Sequence, residues 1–302
     1  MVASAGLRRP AFVVWCSSLL SATAVVALYL VFVRTNWGQE VDDLAFDGRS
    51  AVSLRATQRT DRLLNSVTHT SLFALGAAIV LLALAQRRVR LAAVCGACMA
   101  GAVLTTEALK LYLLTRPRFD GVGGTAHNSF PSGHATIGMV LSLGLVMVSS
   151  SRWRRLATLI AALLATAFGT AVLASGWHRP SDSLGAYAVA FTWFAAGHGV
   201  MLWLDEHRPY RYGVASARDR PTSRPVLVSA GVALLGFTAF ALWRSLEDHD
   251  LHAVAYVRLY VVFCLAIDVV GIVGVLGFAV LTGDRARRRR AVADVSSPST
   301  PS

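Results

Sequence analysis

Apolar residues fall along this chain in runs of about twenty without a charge, separated by short stretches dense in arginine. Wound as a helix, a run of that length crosses the roughly 30 Å hydrocarbon core of a bilayer. Eight such spans are predicted, at about 11–33, 66–86, 91–115, 134–151, 156–177, 183–204, 226–243 and 256–282. The expected fold class is all-α, a polytopic membrane helical bundle. Arg8 and Arg9 before the first run could open a signal peptide. The run is longer than a signal core and lacks a convincing small-residue cleavage site, so it counts as a helix.

Composition agrees with the pattern. Of 302 residues, 55% are hydrophobic and 15% charged, against about a quarter charged in a soluble domain. A soluble globular enzyme, a secreted disulfide scaffold and a disordered chain are excluded. Cys16, Cys95, Cys98 and Cys264 all sit inside apolar runs. Without a βαβ context, the Cys95–Cys98 step reads as small residues in a helix interface rather than a redox motif.

The net charge of +12 is a topology signal before it is a binding signal. Eighteen arginines fall in alternate short loops and the two tails, and nine on the opposite side. Both termini are therefore expected in the cytoplasm, in contact with the lipid bilayer and with no nucleic acid as partner. Between the spans, 205–225 reads as a basic cytoplasmic loop. The tail 283–302 reads as disordered, its basic stretch near anionic headgroups. Segment 34–65 mixes Glu40, Asp42, Asp43 and Asp47 with several arginines. It fits an amphipathic helix on the membrane surface or a loop packed over the bundle.

Two loops on the same expected outer side gather the chemistry: RPRFDGVGGTAHNSFPSGH from Arg116, and GWHRPSD over 176–182. Lys110, the only lysine in the chain, lies inside a span about 8 Å below its outer end. There it either snorkels or serves a site. Ser132, Gly133 and His134 stand where a loop turns into a helix, as an N-cap with a glycine turn or as an anion site. His178 and Asp182 are four apart and share a helical face. A structural hydrogen bond, a metal pair and a catalytic couple all fit that spacing, although His127, His134 and His178 show no zinc-site spacing. Jointly, these cations, the helix start and two histidines, one backed by a carboxylate, suit phosphoryl transfer without metal.

The motifs resemble the type 2 phosphatidic acid phosphatase superfamily, which includes undecaprenyl pyrophosphate phosphatases and vanadium haloperoxidases. Pro131-Ser132-Gly133-His134 matches its second motif, and His178-Arg179-Pro180-Ser181-Asp182 the end of its third. The resemblance covers about 107–185, within a six-span core over 1–204 that is followed by a helix pair over 226–282. It implies His178 as the nucleophile of a phosphohistidine, Asp182 as the residue orienting it, and His134 as acid and then base. Lys110, Arg116, Ser132 and the Gly133 amide would hold the phosphoryl group, and no metal or other cofactor is implied. Two departures stand out. Five residues separate Lys110 from Arg116-Pro117 instead of six, with Arg118 as the alternative cation. The Ser-Arg pair of the third motif falls on Ala171 and Val172, so Arg179 or Arg118 would have to substitute.

The expected function is a metal-independent phosphatase of the plasma membrane, in a bacterium, with an extracytoplasmic site. Its substrate would be a lipid phosphomonoester or pyrophosphate: phosphatidate, phosphatidylglycerol phosphate or a polyprenyl pyrophosphate. The alternatives are a lipid-linked phosphotransferase and a catalytically weakened binding or transport protein. Glu107, His198, Arg258 and Asp268, ionisable residues within spans, are expected to pair between helices.

Overall fold

The structure, a computed structural model, describes residues 3–51, 57–58, 61–62, 64–65, 69–119, 127–207 and 255–296. Among the described residues every regular element is helical and there is no strand. The α-helices are α1 Ala3–Leu28, α2 Asn36–Asp47, α3 His69–Ala85, α4 Val89–Ala108, α5 Gly133–Val148, α6 Arg154–Ala174, α7 Pro180–His207 and α8 Ala255–Ser296. A π-turn extends α1 over Tyr29–Val33, and another extends α4 over Leu109–Leu113.

Among the described residues, five helical stretches are long and apolar enough to cross a membrane: Ala11–Val33, Val89–Leu113, Arg154–Ala174, Pro180–Glu206 and Tyr256–Gly283. Thr70–Ala85 and Gly133–Val148 are shorter apolar helices. The chain is a multi-pass membrane protein. The described helices fall on every predicted span except 226–243, which lies outside the described residues, as does the loop 205–225 beyond His207. Where a disordered tail was expected from 283, α8 continues to Ser296. The alanines and arginines of that stretch are strong helix formers.

At the centre stands α5, packed against α3, α4, α6, α7 and α8. Its sequence, GHATIGMVLSLGLVMV, is apolar all round, as a helix buried on every side must be. The outer helices instead turn large apolar side chains such as Phe12, Leu20, Phe73, Leu81 and Leu104 outward, where lipid would cover them. On α7, α1 is tied down by Ser18 and Ser21, whose hydroxyls donate to Thr192 O and Ala188 O at 2.9 Å. Cys98 sits in the α4–α7 contact against Gly197, and its thiol donates to Trp193 O at 3.2 Å. That is the small-residue interface expected of it.

Of the ionisable groups within spans, Asp268 accepts from Thr170 Oγ1 at 2.7 Å and His198 meets Leu281 O at 3.2 Å, both between helices. Glu107 instead pairs within its own helix. The two readings of segment 34–65 also separate. Gln39, Asp42 and Asp43 on α2 are buried, and α2 packs against α8 and α7. It lies over the bundle, at the end that carries the motif loops.

Candidate active site

The third-motif loop is shaped by how α6 stops. Gly176, at φ +69°, adopts the left-handed conformation that glycine enters without a Cβ penalty. Its N–H donates to Leu173 O at 3.0 Å, and the Trp177 N–H donates to Val172 O at 3.0 Å. These are the two bonds of a Schellman C-cap. The His178 N–H joins the same Val172 carbonyl at 3.2 Å, so the histidine leaves the helix end in a fixed direction. Two residues later Pro180 opens α7, a first helical position that has no need of an N–H.

The first turn of α7 is capped by carboxylates. Asp182 Oδ2 accepts from the Arg179 backbone N–H at 3.1 Å and faces His178 Nδ1 at 3.2 Å. The first contact is the reach-back half of a capping box. The second holds the imidazole so that its other nitrogen, Nε2, is directed away from the carboxylate. Asp42, from α2, accepts from the Ser181 N–H at 3.0 Å, and its other oxygen lies 2.6 Å from Ser181 Oγ. Burial and then the charge of Asp182 push the Asp42 carboxyl up to about 7.

The arginines gather round Asp43. Arg179 Nε is hydrogen-bonded to Asp43 Oδ1, and Arg116 Nη2 approaches the same oxygen at 3.6 Å. Both arginines are buried. Desolvation, with the neighbouring Arg179 charge, moves Arg116 below its ordinary value, yet a guanidinium remains a cation. Arg179 also stands 5.8 Å from the centre of the Phe46 ring, and Arg49 lies 3.7 Å over that ring.

The second motif forms the start of α5. Ser132 is its N-cap, the hydroxyl accepting from Ala135 N at 3.3 Å. A Cβ on Gly133 would stand 3.1 Å from Glu107 Oε1 and 3.5 Å from Lys110 Nζ. The lysine ammonium, itself 2.7 Å from Glu107, therefore lies at the α5 N-terminus. His134 packs edge-on against Trp177, with ring centroids 5.0 Å apart, which sets it beside the loop that carries His178. Asn128 braces the approach: its amide donates to the carbonyls of Lys110, Leu114 and Phe130 at 3.0–3.3 Å.

Of the residues expected here, His178, Asp182, Arg116 and Arg179 form one network, Lys110 meets Gly133, and His134 joins through Trp177. Arg118 is exposed and makes no ion pair among the described residues. Val172 is fully buried in the apolar core. Asp42, Asp43 and Asn128 were not singled out by the sequence. The acidic pair on an amphipathic segment was the only signal, and it did not say where that segment lies.

This arrangement presents cations, a helix start and an oriented imidazole to one region, the donor set that phosphoryl chemistry uses. No curated protein and no solved structure matches the chain. Residues 92–206 do match the family model described as PAP2 superfamily, which bears out the resemblance to the type 2 phosphatidic acid phosphatase superfamily and supports a phosphatase-type function.

Proposed function

We propose that this protein hydrolyses the phosphomonoester or pyrophosphate of a membrane lipid through a phosphohistidine on His178. The observation that carries this reading is the His178–Asp182 couple beside two buried arginines, at the end of an apolar bundle. His178 Nε2 attacks phosphorus, forming the N–P bond as the P–O bond to the lipid breaks. His134 gives its proton to the leaving oxygen. Water then attacks phosphorus, His134 takes the water proton, and the N–P bond breaks to release phosphate. Asp182 stabilises the imidazolium, while Arg116, Arg179, Lys110 and the α5 N-terminus hold the nonbridging oxygens. The site faces the extracytoplasmic side, with both termini in the cytoplasm, on the strength of the arginine distribution.

The binding-only reading draws on one observation: position 172, sealed in the core as valine, supplies no cation. Phosphate release decides between them. Purified protein in detergent, with chelator present, is assayed on phosphatidate, phosphatidylglycerol phosphate and a polyprenyl pyrophosphate. Release that survives chelator and vanishes in His178→Ala supports the histidine mechanism and ranks the lipids. Phosphate appearing only when an acceptor alcohol is supplied, and then on that acceptor, indicates a phosphotransferase. No release from any lipid, with lipid binding retained, overturns the phosphatase.

A further inference from the structure

Asp43 lies outside every motif, yet it is the carboxylate that both site arginines share. Two guanidiniums this close repel each other, and Asp43 offsets that repulsion. The contact is incomplete, however. Arg116 approaches at 3.6 Å, beyond hydrogen-bond length. Its side chain is 2% exposed, and neither Nη1 nor Nη2 has a hydrogen-bond partner among the described residues. Asp43 Oδ2 is likewise buried and without a partner among the described residues. A permanent buried ion pair is costly unless its remaining donors and acceptors are satisfied, and here three such atoms converge unsatisfied.

We propose that Asp43 occupies, in the unliganded site, the place a phosphoryl anion takes between Arg116 and Arg179. This rests on the phosphatase reading and adds a specificity-determining residue to it. A phosphoryl group has three nonbridging oxygens, so it can meet both guanidiniums with a fork of charge-assisted bonds where one carboxylate oxygen cannot. The exchange leaves α2 in position, because other contacts hold it. Asp42 is bonded to Ser181, and Gln39 Nε2 donates to Val33 O at 2.8 Å and Pro117 O at 2.9 Å. A resting site neutralised in this way rejects weakly charged anions, since an incoming group must outcompete the carboxylate.

Calorimetric titration of the detergent-purified protein with inorganic phosphate tests this against Asp43→Asn. Removing the competing charge is expected to tighten phosphate binding by at least about tenfold, the scale of one charge-assisted contact. Binding that is unchanged or weaker in the variant overturns the proposal and makes Asp43 a brace for the arginines. Short-chain phosphatidate is titrated in parallel. A gain for both ligands marks the phosphoryl group itself, and a gain confined to one names its source. Should Asp43→Asn fail to fold, infrared difference spectra of the unmodified protein give the answer. Phosphate must shift an ion-paired carboxylate band, and a flat carboxylate region overturns the idea. Binding is read without turnover. An inactive protein that keeps the gain sinks the phosphatase reading alone, whereas an active one without it sinks only this inference.

Discussion

The backbone N–H of Ser132 donates to the main-chain carbonyl of Asp182 at 3.0 Å. The second and third motifs, fifty residues apart, are thus joined through main-chain atoms and not through the side chains that would do chemistry. His178→Ala and Asp182→Asn should therefore keep the fold. We expect phosphate release to fall to background in the first. In the second it should fall by about 10²- to 10⁴-fold, the range for an acid–base partner. Unfolding temperatures should stay close to that of the parent. A large drop in thermal stability with either variant would show that these side chains are structural.

Asp42 gives the protein a pH-dependent stability. Its carboxyl titrates at about 7 in the fold, against an ordinary value of 3.8. Below pH 4 it is protonated in both folded and unfolded chains. As pH rises from about 4 to about 7 the unfolded chain ionises while the fold keeps its proton, so stability falls. Above that range the loss is complete, at roughly 4 kcal/mol. Asp42→Asn preserves an acceptor for the Ser181 N–H and a donor for its hydroxyl. That variant should unfold at the same temperature at pH 5 and pH 8 as far as this residue is concerned, and above the parent at pH 8. A parent curve that rises between those values would contradict the assignment.

How much of this was legible beforehand differs residue by residue. The spans were legible because twenty apolar residues in a row have few other uses, and His178 with Asp182 because they stand four apart, although His178 lies in the bend before α7 and not on the helix. Arg116 and Arg118, two residues apart, could not be told apart by spacing; the structure buries the first against Asp43 and leaves the second exposed. Asp43 was not legible. Its partners lie 73 and 136 positions along the chain, and periodicity on α2 shows that one face is apolar without showing what that face covers. Ser132 was legible as an N-cap, and that bond is what the structure contains.

Gly176 is the backbone position that the third motif depends on. Alanine there must hold φ +69°, which costs about 1–2 kcal/mol, and its Cβ would stand 2.7 Å from Arg49 Nε. Thermal unfolding should show the loss, and activity should fall as the His178 loop shifts. Asparagine tolerates the left-handed region better, so Gly176→Asn should be milder than Gly176→Ala. The reverse order would mean that crowding against Arg49, and not φ, dominates.

Lys110 and Gly133 can be separated by kinetics. Lys110→Met removes an ammonium from the α5 start and should lower kcat/KM by about tenfold or more, the worth of a hydrogen bond to a charged group. Gly133→Ala leaves the charge but crowds Glu107 at 3.1 Å, so its effect should appear mainly in KM. Equal losses in kcat and KM for both variants would argue against a phosphoryl contact at this helix end.

The position of α2 sets a lower limit on what could be transplanted. A chimera that carried only residues 92–206 into a foreign bundle would import both histidines, Lys110, Arg116 and Arg179. It would leave behind the cap on Ser181 and the counterion between the two guanidiniums. Like charges would then face each other across an empty gap, and α7 would lose one of its two terminal acceptors. The portable unit is therefore longer than the recognisable one, and it begins no later than Thr35, the N-cap of α2.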